Sequence, residues 1–355
     1  MLTSDTYPTT GLDLPETPIL KNHPPSAFGG GSLILPAILD EAAFQAGANG
    51  IILIRYDPSR SDLIVEEGRL NWAALKGSHL RPLGNIIHLV SSVGQLELDS
   101  LSNQVFPATL RASAPVSSIL AYVPLFANGF NLGSLWVNLS KELSASELAQ
   151  LCAMGEVAAE AIFHLGQDNQ TATTPLEIIQ ELVKVLKAWE PATYQNSVRQ
   201  VTWARSTARR LGLADEYIQA AGWAALLHDV GYLGISKVCL QKSGKLSPEE
   251  WRIIKRHPIT GSRMLPDHPE LAPVISGILS HHERYDGNGY PLGLAGKNIP
   301  VIGRIVNVVD AYAAMTSERS YRKLLQHEEA VTEILTCSGT QFDPEVTRSF
   351  LDCFT

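Results

Sequence analysis

The chain has 355 residues, more than one compact core usually organises, so about two domains are expected. Hydrophobic residues make up 45% and charged residues 18%, a mix that excludes wholesale disorder. Lys plus Arg is 28 against 36 Asp plus Glu, a formal net charge of −8, and no long basic run occurs. Polymeric nucleic acid is therefore not an expected partner. No apolar run reaches the roughly 18 residues that a membrane helix needs. The first twenty residues lack the basic start and apolar core of a secretory signal, so a cytoplasmic location is expected. Cys152, Cys239, Cys337 and Cys353 form no C-x-x-C pair and read as buried free thiols.

Residues 1–27 are rich in Pro, Thr, Ser and Asp and read as a flexible lead-in. From there, Ile34, Leu35, Ala37, Ile38, Ala42, Ala43 and Ala46 recur at helical spacing and predict an amphipathic helix ending near Gly47. Gly50 to Tyr56 reads as a buried strand, residues 57–60 as a turn and Leu63 to Val65 as a return strand. Ile119 to Leu125 and Leu132 to Leu139 make a second pair, joined through Ala127-Asn128-Gly129. Ser144 has capping-box spacing to Glu147 and opens a long helix reaching about Leu165. This order predicts an α+β sensor fold with an antiparallel sheet. The stretches ILDEAAFQAGANGIILIRYDP and VPLFANGFNLGSLWVNL resemble a GAF domain over about residues 28–166. The resemblance implies a small-molecule sensor or a dimerising module. No cofactor anchor is visible in this half, and the long helix makes a homodimer an expectation.

Residues 167–174 are polar and without apolar periodicity, which marks a linker. Pro175 suits the first turn of a helix, and residues 175–355 read as all-α. Helical stripes run over Asn196 to Leu213, Tyr217 to Leu227, Ser247 to His257, Leu271 to His281, Ile302 to Thr316 and Glu328 to Thr336.

Of the ten histidines, His23, His79, His88, His164, His268 and His327 lie in ordinary contexts. The other four, with two aspartates, do not look scattered. His228-Asp229 ends one apolar helix, His257 another and His281-His282 a third, while Asp310 lies within an apolar fourth. An acid on an apolar helix is costly unless a cation holds it. Imidazole and carboxylate at the ends of packed helices can form a metal site in a helical core, and mixed N/O donors suit iron, manganese, zinc or nickel.

The segments LLHDVG, LQKSGKLSPEEWRIIKRHPITG, HHERYDGNGYPLGLAGKNIP, RIVNVVDAYAAMTSERSYRK and GTQFDPEV are similar, in that order, to the HD-GYP family. The resemblance implies a metal-dependent phosphodiesterase that hydrolyses cyclic di-GMP. It implies metal ligation by His228, Asp229, His257, His281, His282 and Asp310, with two divalent ions, iron or manganese first among them. Asp286, Gly287, Gly289, Tyr290 and Pro291 fall on the signature loop, with Asp286 and Tyr290 read first as shaping it. That loop is a candidate contact for diguanylate cyclases carrying GGDEF domains or for other signalling proteins. Arg319, Arg322 and Lys323 fall on the basic segment that holds substrate phosphates. Asp229 is the natural bridge between two ions, an arrangement suited to in-line attack of hydroxide on phosphorus.

The chain departs from the family pattern in four places. Asn196 stands where the family has a histidine, and Tyr232 where it has a lysine near the substrate. Ala192 replaces an acidic residue, so no third metal is expected, and Ala313 replaces a frequent second aspartate. The first position then keeps His228, Asp229 and Asp310, completed by Asn196 or water, and the second keeps Asp229, His257, His281 and His282. Three readings follow. The first is cyclic di-GMP hydrolysis to linear pGpG, with GMP as a further product still open, regulated or held as a dimer by the GAF-like part. The second is a degenerate domain that binds nucleotide or protein without turnover. The third is another phosphoester of the wider HD superfamily.

Overall fold

The computed structural model describes residues 34–57, 62–80, 93–97, 118–127, 130–165, 174–235, 237–240, 242, 244–317 and 324–354. The expected lead-in, most of the expected linker and the Asn128-Gly129 turn lie outside these residues.

The N-terminal part opens with helix α1 (Ile34–Ala46), which stops at Gly47, where φ is +63°. A positive φ favours glycine, and the helix ends where the sequence placed its end. Strands β1 (Gly50–Asp57), β2 (Asp62–Leu70), β3 (His79–Leu80), β4 (Gly94–Glu97), β5 (Ile119–Ala127) and β6 (Phe130–Leu139) follow. They form one antiparallel sheet in the order β3-β2-β1-β6-β5-β4. Strand β1 is central, and Ile51, Ile52, Leu53 and Ile54 are all buried. Successive side chains of a strand point to opposite faces. Ile51 and Leu53 therefore join the helix-side core, while Ile52 and Ile54 pack with Trp72, Trp136 and Tyr122 on the other face. Close approach of β6 to β1 requires Gly133, because a Cβ there would sit 2.1 Å from the Ile54 carbonyl oxygen.

Helix α2 (Ala145–Leu165) carries the expected capping box: Ser144 N–H donates to Glu147 at 2.7 Å, and Glu147 N–H to Ser144 Oγ at 3.3 Å. Its Leu151, Met154, Val157, Ala158, Ala161 and Ile162 are buried against α1, β5 and the next helix, α3 (Pro175–Trp189). The apolar face of this helix is thus covered within the chain.

From α3 onward the described residues are helical. The remaining helices are α4 (Pro191–Arg210), α5 (Asp215–Leu227), α6 (Lys237–Leu240), α7 (Pro248–Ile254), α8 (His257–Arg263), α9 (Ala272–Ser280), α10 (Val301–Thr316), α11 (His327–Thr336) and α12 (Pro344–Leu351). The stripe expected from Ser247 to His257 is in fact two helices, and His257 starts α8 rather than ending its predecessor. Lys255 and Arg256 hold right-handed but unpropagated geometry between them, and Pro258 in the first turn of α8 has no N–H to continue the earlier ladder. The four cysteines are free and half-buried rather than fully buried.

The two parts share one apolar core. Helix α1 lies on α8: Thr260 Oγ1 donates to buried Glu41 at 2.9 Å, and the Arg256 and Arg263 guanidinium groups lie over the Phe44 ring at 4.3 and 5.1 Å. Gln45 Nε2 donates to the Gly234 carbonyl at 2.8 Å. The N-terminal part therefore touches the two segments that follow Asp229 and His257. Among the described residues no helix is long and apolar enough to cross a membrane.

Candidate metal centre

Helix ends leave carbonyls without intrahelical donors, and three histidines use them in the same way. His228, just past α5, sets Nδ1 2.9 Å from the Ala225 oxygen. His257, three residues past the end of α7, sets Nδ1 2.8 Å from the Ile254 oxygen, and His281, just past α9, sets Nδ1 2.7 Å from the Ile278 oxygen. A carbonyl only accepts, so each Nδ1 carries the proton and each Nε2 is aimed at the centre.

There the carboxylates gather. His228 Nε2 lies 3.1 Å from Asp229 Oδ2 and 3.4 Å from Asp310 Oδ1, without a well-directed hydrogen bond to either. His257 Nε2 lies 3.4 Å from Asp229 Oδ1 and 3.2 Å from His281 Nε2. Asp229 thus turns one oxygen towards His228 and the other towards His257. Donor atoms of Asp229, His257, His281 and His282 lie within 4.8 Å of one another. His228 and Asp310 adjoin this group, Asp310 Oδ1 lying 3.4 Å from His228 Nε2 and the His228 ring 5.2 Å from that of His281.

Proximity depends on a close crossing. Asp229 directly precedes the 3-10 turn Val230–Gly234, which packs on α8. A Cβ on Gly231 would sit 1.9 Å from the His257 carbonyl oxygen, so only glycine admits this approach.

The electrostatics are those of a cation site. Burial lowers the pKa of His257 and of His281, the latter strongly, and brings His282 down to about 4, so these rings stay neutral donors. Two neutral imidazoles with Nε2 atoms 3.2 Å apart oppose lone pair to lone pair, which a shared cation relieves. For His228, burial works to lower the pKa, but Asp229 and Asp310 overcome it and raise it well above the usual value. A proton on His228 thereby stands in for a cation. Burial would raise both Asp229 and Asp310, yet the neighbouring His228 holds each below the usual carboxylate range. The donor set and these facing lone pairs fit divalent ions bound by nitrogen and oxygen.

The signature loop packs beside the centre. The Tyr290 ring stacks on His282 at 4.8 Å, and the Tyr290–Pro291 peptide is cis. Asp286 accepts from Arg284 Nε and Nη2 and from the Asn288 N–H at 3.0 Å, so it shapes the loop. Gly287 has a φ of +83°, and a Cβ on Gly289 would sit 2.3 Å from the Arg284 nitrogen. Tyr232 lies tilted over His257 at 4.4 Å between ring centroids. Asn196 is exposed near the start of α4. Arg319, Arg322 and Lys323 lie outside the described residues.

Three residues absent from the sequence reading complete the arrangement. Buried Glu283 accepts the N–H groups of Leu292, Gly293 and Leu294 at 2.6, 3.1 and 3.0 Å and so holds the loop. Asn307 Nδ2 donates to the His281 and Glu283 carbonyls at 2.7 and 3.0 Å. Gln200 Nε2 donates to Asp310 Oδ1 at 3.2 Å. Only Gln200 had a sequence signal: it follows Asn196 by four residues, on the same helix face.

Residues 181–346 match the HD domain family. The helical half is thus similar to an HD domain over most of its length. The chain is 40% identical over 232 residues to a cyclic di-GMP phosphodiesterase of Pseudomonas aeruginosa, covering 61% of this chain and 55% of that protein. It is 37% identical over 176 residues to a cyclic di-GMP phosphodiesterase of Thermotoga maritima, covering 49% and 48%. A 3'3'-cGAMP-specific phosphodiesterase of Vibrio cholerae is 33% identical over 168 residues, covering 47% and 36%. The chain thus spans about half the length of the first two relatives. The metal-ligand candidates, the loop from Asp286 to Pro291 and Gln200 all fall within the matched residues.

Proposed function

We propose that the chain is a metal-dependent phosphodiesterase of the HD-GYP type that hydrolyses cyclic di-GMP to linear pGpG. The observation that carries this reading is Asp229, whose Oδ2 faces His228 and whose Oδ1 faces His257, one oxygen for each of two adjacent donor groups. His228, Asp229 and Asp310 hold one ion, and Asp229, His257, His281 and His282 the other. Divalent ions bound there would supply Lewis acidity for phosphodiester hydrolysis.

The chain's own residues do the rest. The Nδ1–carbonyl bonds fix the rings so that Nε2 needs no reorientation to bind. Tyr290 and the loop pinned by Glu283 form one wall beside His282. Arg319, Arg322 and Lys323 neutralise the non-bridging phosphate oxygens. Two ions, iron or manganese, are expected and no third, because Ala192 offers no ligand. The names of the relatives support a cyclic dinucleotide as substrate and leave the choice of bases to experiment.

The N-terminal unit is read as a GAF-like regulator acting through the contact of α1 with α8. A second reading, binding without turnover, draws on Tyr232, an uncharged ring over His257 where a substrate-facing lysine is expected. Incubating metal-loaded protein with cyclic di-GMP, 3'3'-cGAMP and bis(p-nitrophenyl) phosphate separates the readings. Cyclic di-GMP converted fastest, with pGpG accumulating, is the expected result. Turnover of the simple diester alone would point to another phosphoester, and binding of cyclic di-GMP without product would leave a binding module.

A further inference from the structure

The sequence leaves the first metal position one donor short, and the structure points away from the residue aligned with that place. Asn196 is exposed at the start of α4. Gln200, one turn further on the same face, is 2% exposed and reaches Asp310 across the core. Its Nε2 donates to Asp310 Oδ1, the same oxygen that lies 3.4 Å from His228 Nε2. Its Oε1 is buried and accepts no hydrogen bond. A buried amide oxygen without a donor is costly, so such groups call for an explanation in a native fold. This one is the neutral oxygen at the end of a side chain already fastened to a metal-ligand candidate.

We infer that Gln200, rather than Asn196, completes the first metal position. It is a positioning residue that holds the Asp310 carboxylate through its N–H, and its carbonyl oxygen is the neutral donor open to the ion or to water on it. This rests on the two-ion reading proposed above. The first position has one imidazole against three at the second, and its fourth donor is a neutral amide oxygen, so it binds its ion less tightly than the second. Helical spacing gives the reason the substitution works: residues four apart on a helix lie about one turn apart on the same face, so a longer side chain at 200 reaches the place a shorter one at 196 leaves open.

The test is a Mn2+ titration of the full chain, reading free metal by electron paramagnetic resonance and bound metal by elemental analysis. Asp310→Ala and His282→Ala serve as references for loss of the first and second ion. Wild type is expected to hold two ions, and Gln200→Leu to behave like Asp310→Ala, with the weaker ion lost or bound at least tenfold less tightly. Asn196→Ala should match wild type. Gln200→Glu, which keeps the length and adds charge, should bind the weaker ion at least as tightly as wild type, and it covers the case in which Gln200→Leu fails to fold. Two ions bound with wild-type affinity by folded Gln200→Leu would overturn the inference, as would loss of an ion in Asn196→Ala or in folded Gln200→Glu. A wild-type chain that takes up no Mn2+ would overturn the two-ion reading itself, and is told apart because the loss precedes any change at Gln200.

Discussion

Asp229 stands at the narrowest point of the centre, with His228 3.1 Å from one oxygen and His257 3.4 Å from the other. Asp229→Asn keeps the volume and removes the charge that both sides share. It should abolish uptake of both ions and lower turnover by at least about 100-fold, checked by elemental analysis and product chromatography. Titration makes a second prediction for the metal-free protein. Burial lowers His257, His281 and His282, the last to about 4, whereas the unfolded chain titrates near 6.5. On acidification from about pH 6.5 to 4, the unfolded chain therefore takes up protons that these folded rings refuse. Their contribution to stability is present above pH 6.5 and is lost as pH falls, by roughly 3 kcal/mol for His282 alone. His228 has the opposite sign: its raised pKa stabilises below 6.5, and that share is lost as pH rises through the folded value. Chelated protein followed by denaturant melts should thus lose stability between pH 6.5 and 4, and saturating Mn2+ should suppress the loss near pH 6. A flat profile in the chelated protein would contradict the burial of neutral rings.

At the scale of elements, the centre is an assembly of helix ends. The ends of α5 and α9 were legible as His-bearing edges of apolar stripes. The break between α7 and α8 was not, because the pattern from Ser247 to His257 continues through Lys255 and Arg256 while the backbone turns. Glu283 and Asn307 were also illegible: their partners are backbone groups brought near only by the tertiary fold. Gly231 sets how closely the Asp229 turn can approach α8. Gly231→Ala must push these segments apart, since its Cβ would meet the His257 carbonyl oxygen at 1.9 Å. It should cost several kcal/mol, on the order of an overpacked core position or more, and reduce metal uptake. Glu283→Ala strands three N–H groups and should release the loop. Hydrogen exchange at Leu292, Gly293 and Leu294 should rise, while metal stoichiometry stays at the wild-type value.

Across the whole molecule, two parts distinguishable by composition and periodicity are joined by one core. The sheet, its antiparallel pairing and the long helix from Ser144 were readable because strands and helices leave different periods in a sequence. The contact between the parts was not, for it depends on single side chains: Glu41, Phe44 and Gln45 of α1 on Thr260, Arg256 and Gly234. Glu41 is 2% exposed, with guanidinium nitrogens no nearer than 3.7 Å, so Thr260 is its close donor from the helical part. Thr260→Val removes that donor and leaves Gln45 Nε2, at 3.0 Å, as the remaining close donor to the buried carboxylate. A loss of about 1–3 kcal/mol is expected by thermal or denaturant melts, accompanied by altered turnover, since the change lies three residues from His257. A silent Thr260→Val would show that the contact does not couple the two parts. Most direct for the account as a whole is anaerobic incubation of the iron- or manganese-loaded protein with cyclic di-GMP, products separated by chromatography, beside Asp229→Ala. The account predicts linear pGpG from wild type and none from the variant. Equal product from both, or none from a wild-type chain shown to hold two ions, would contradict it.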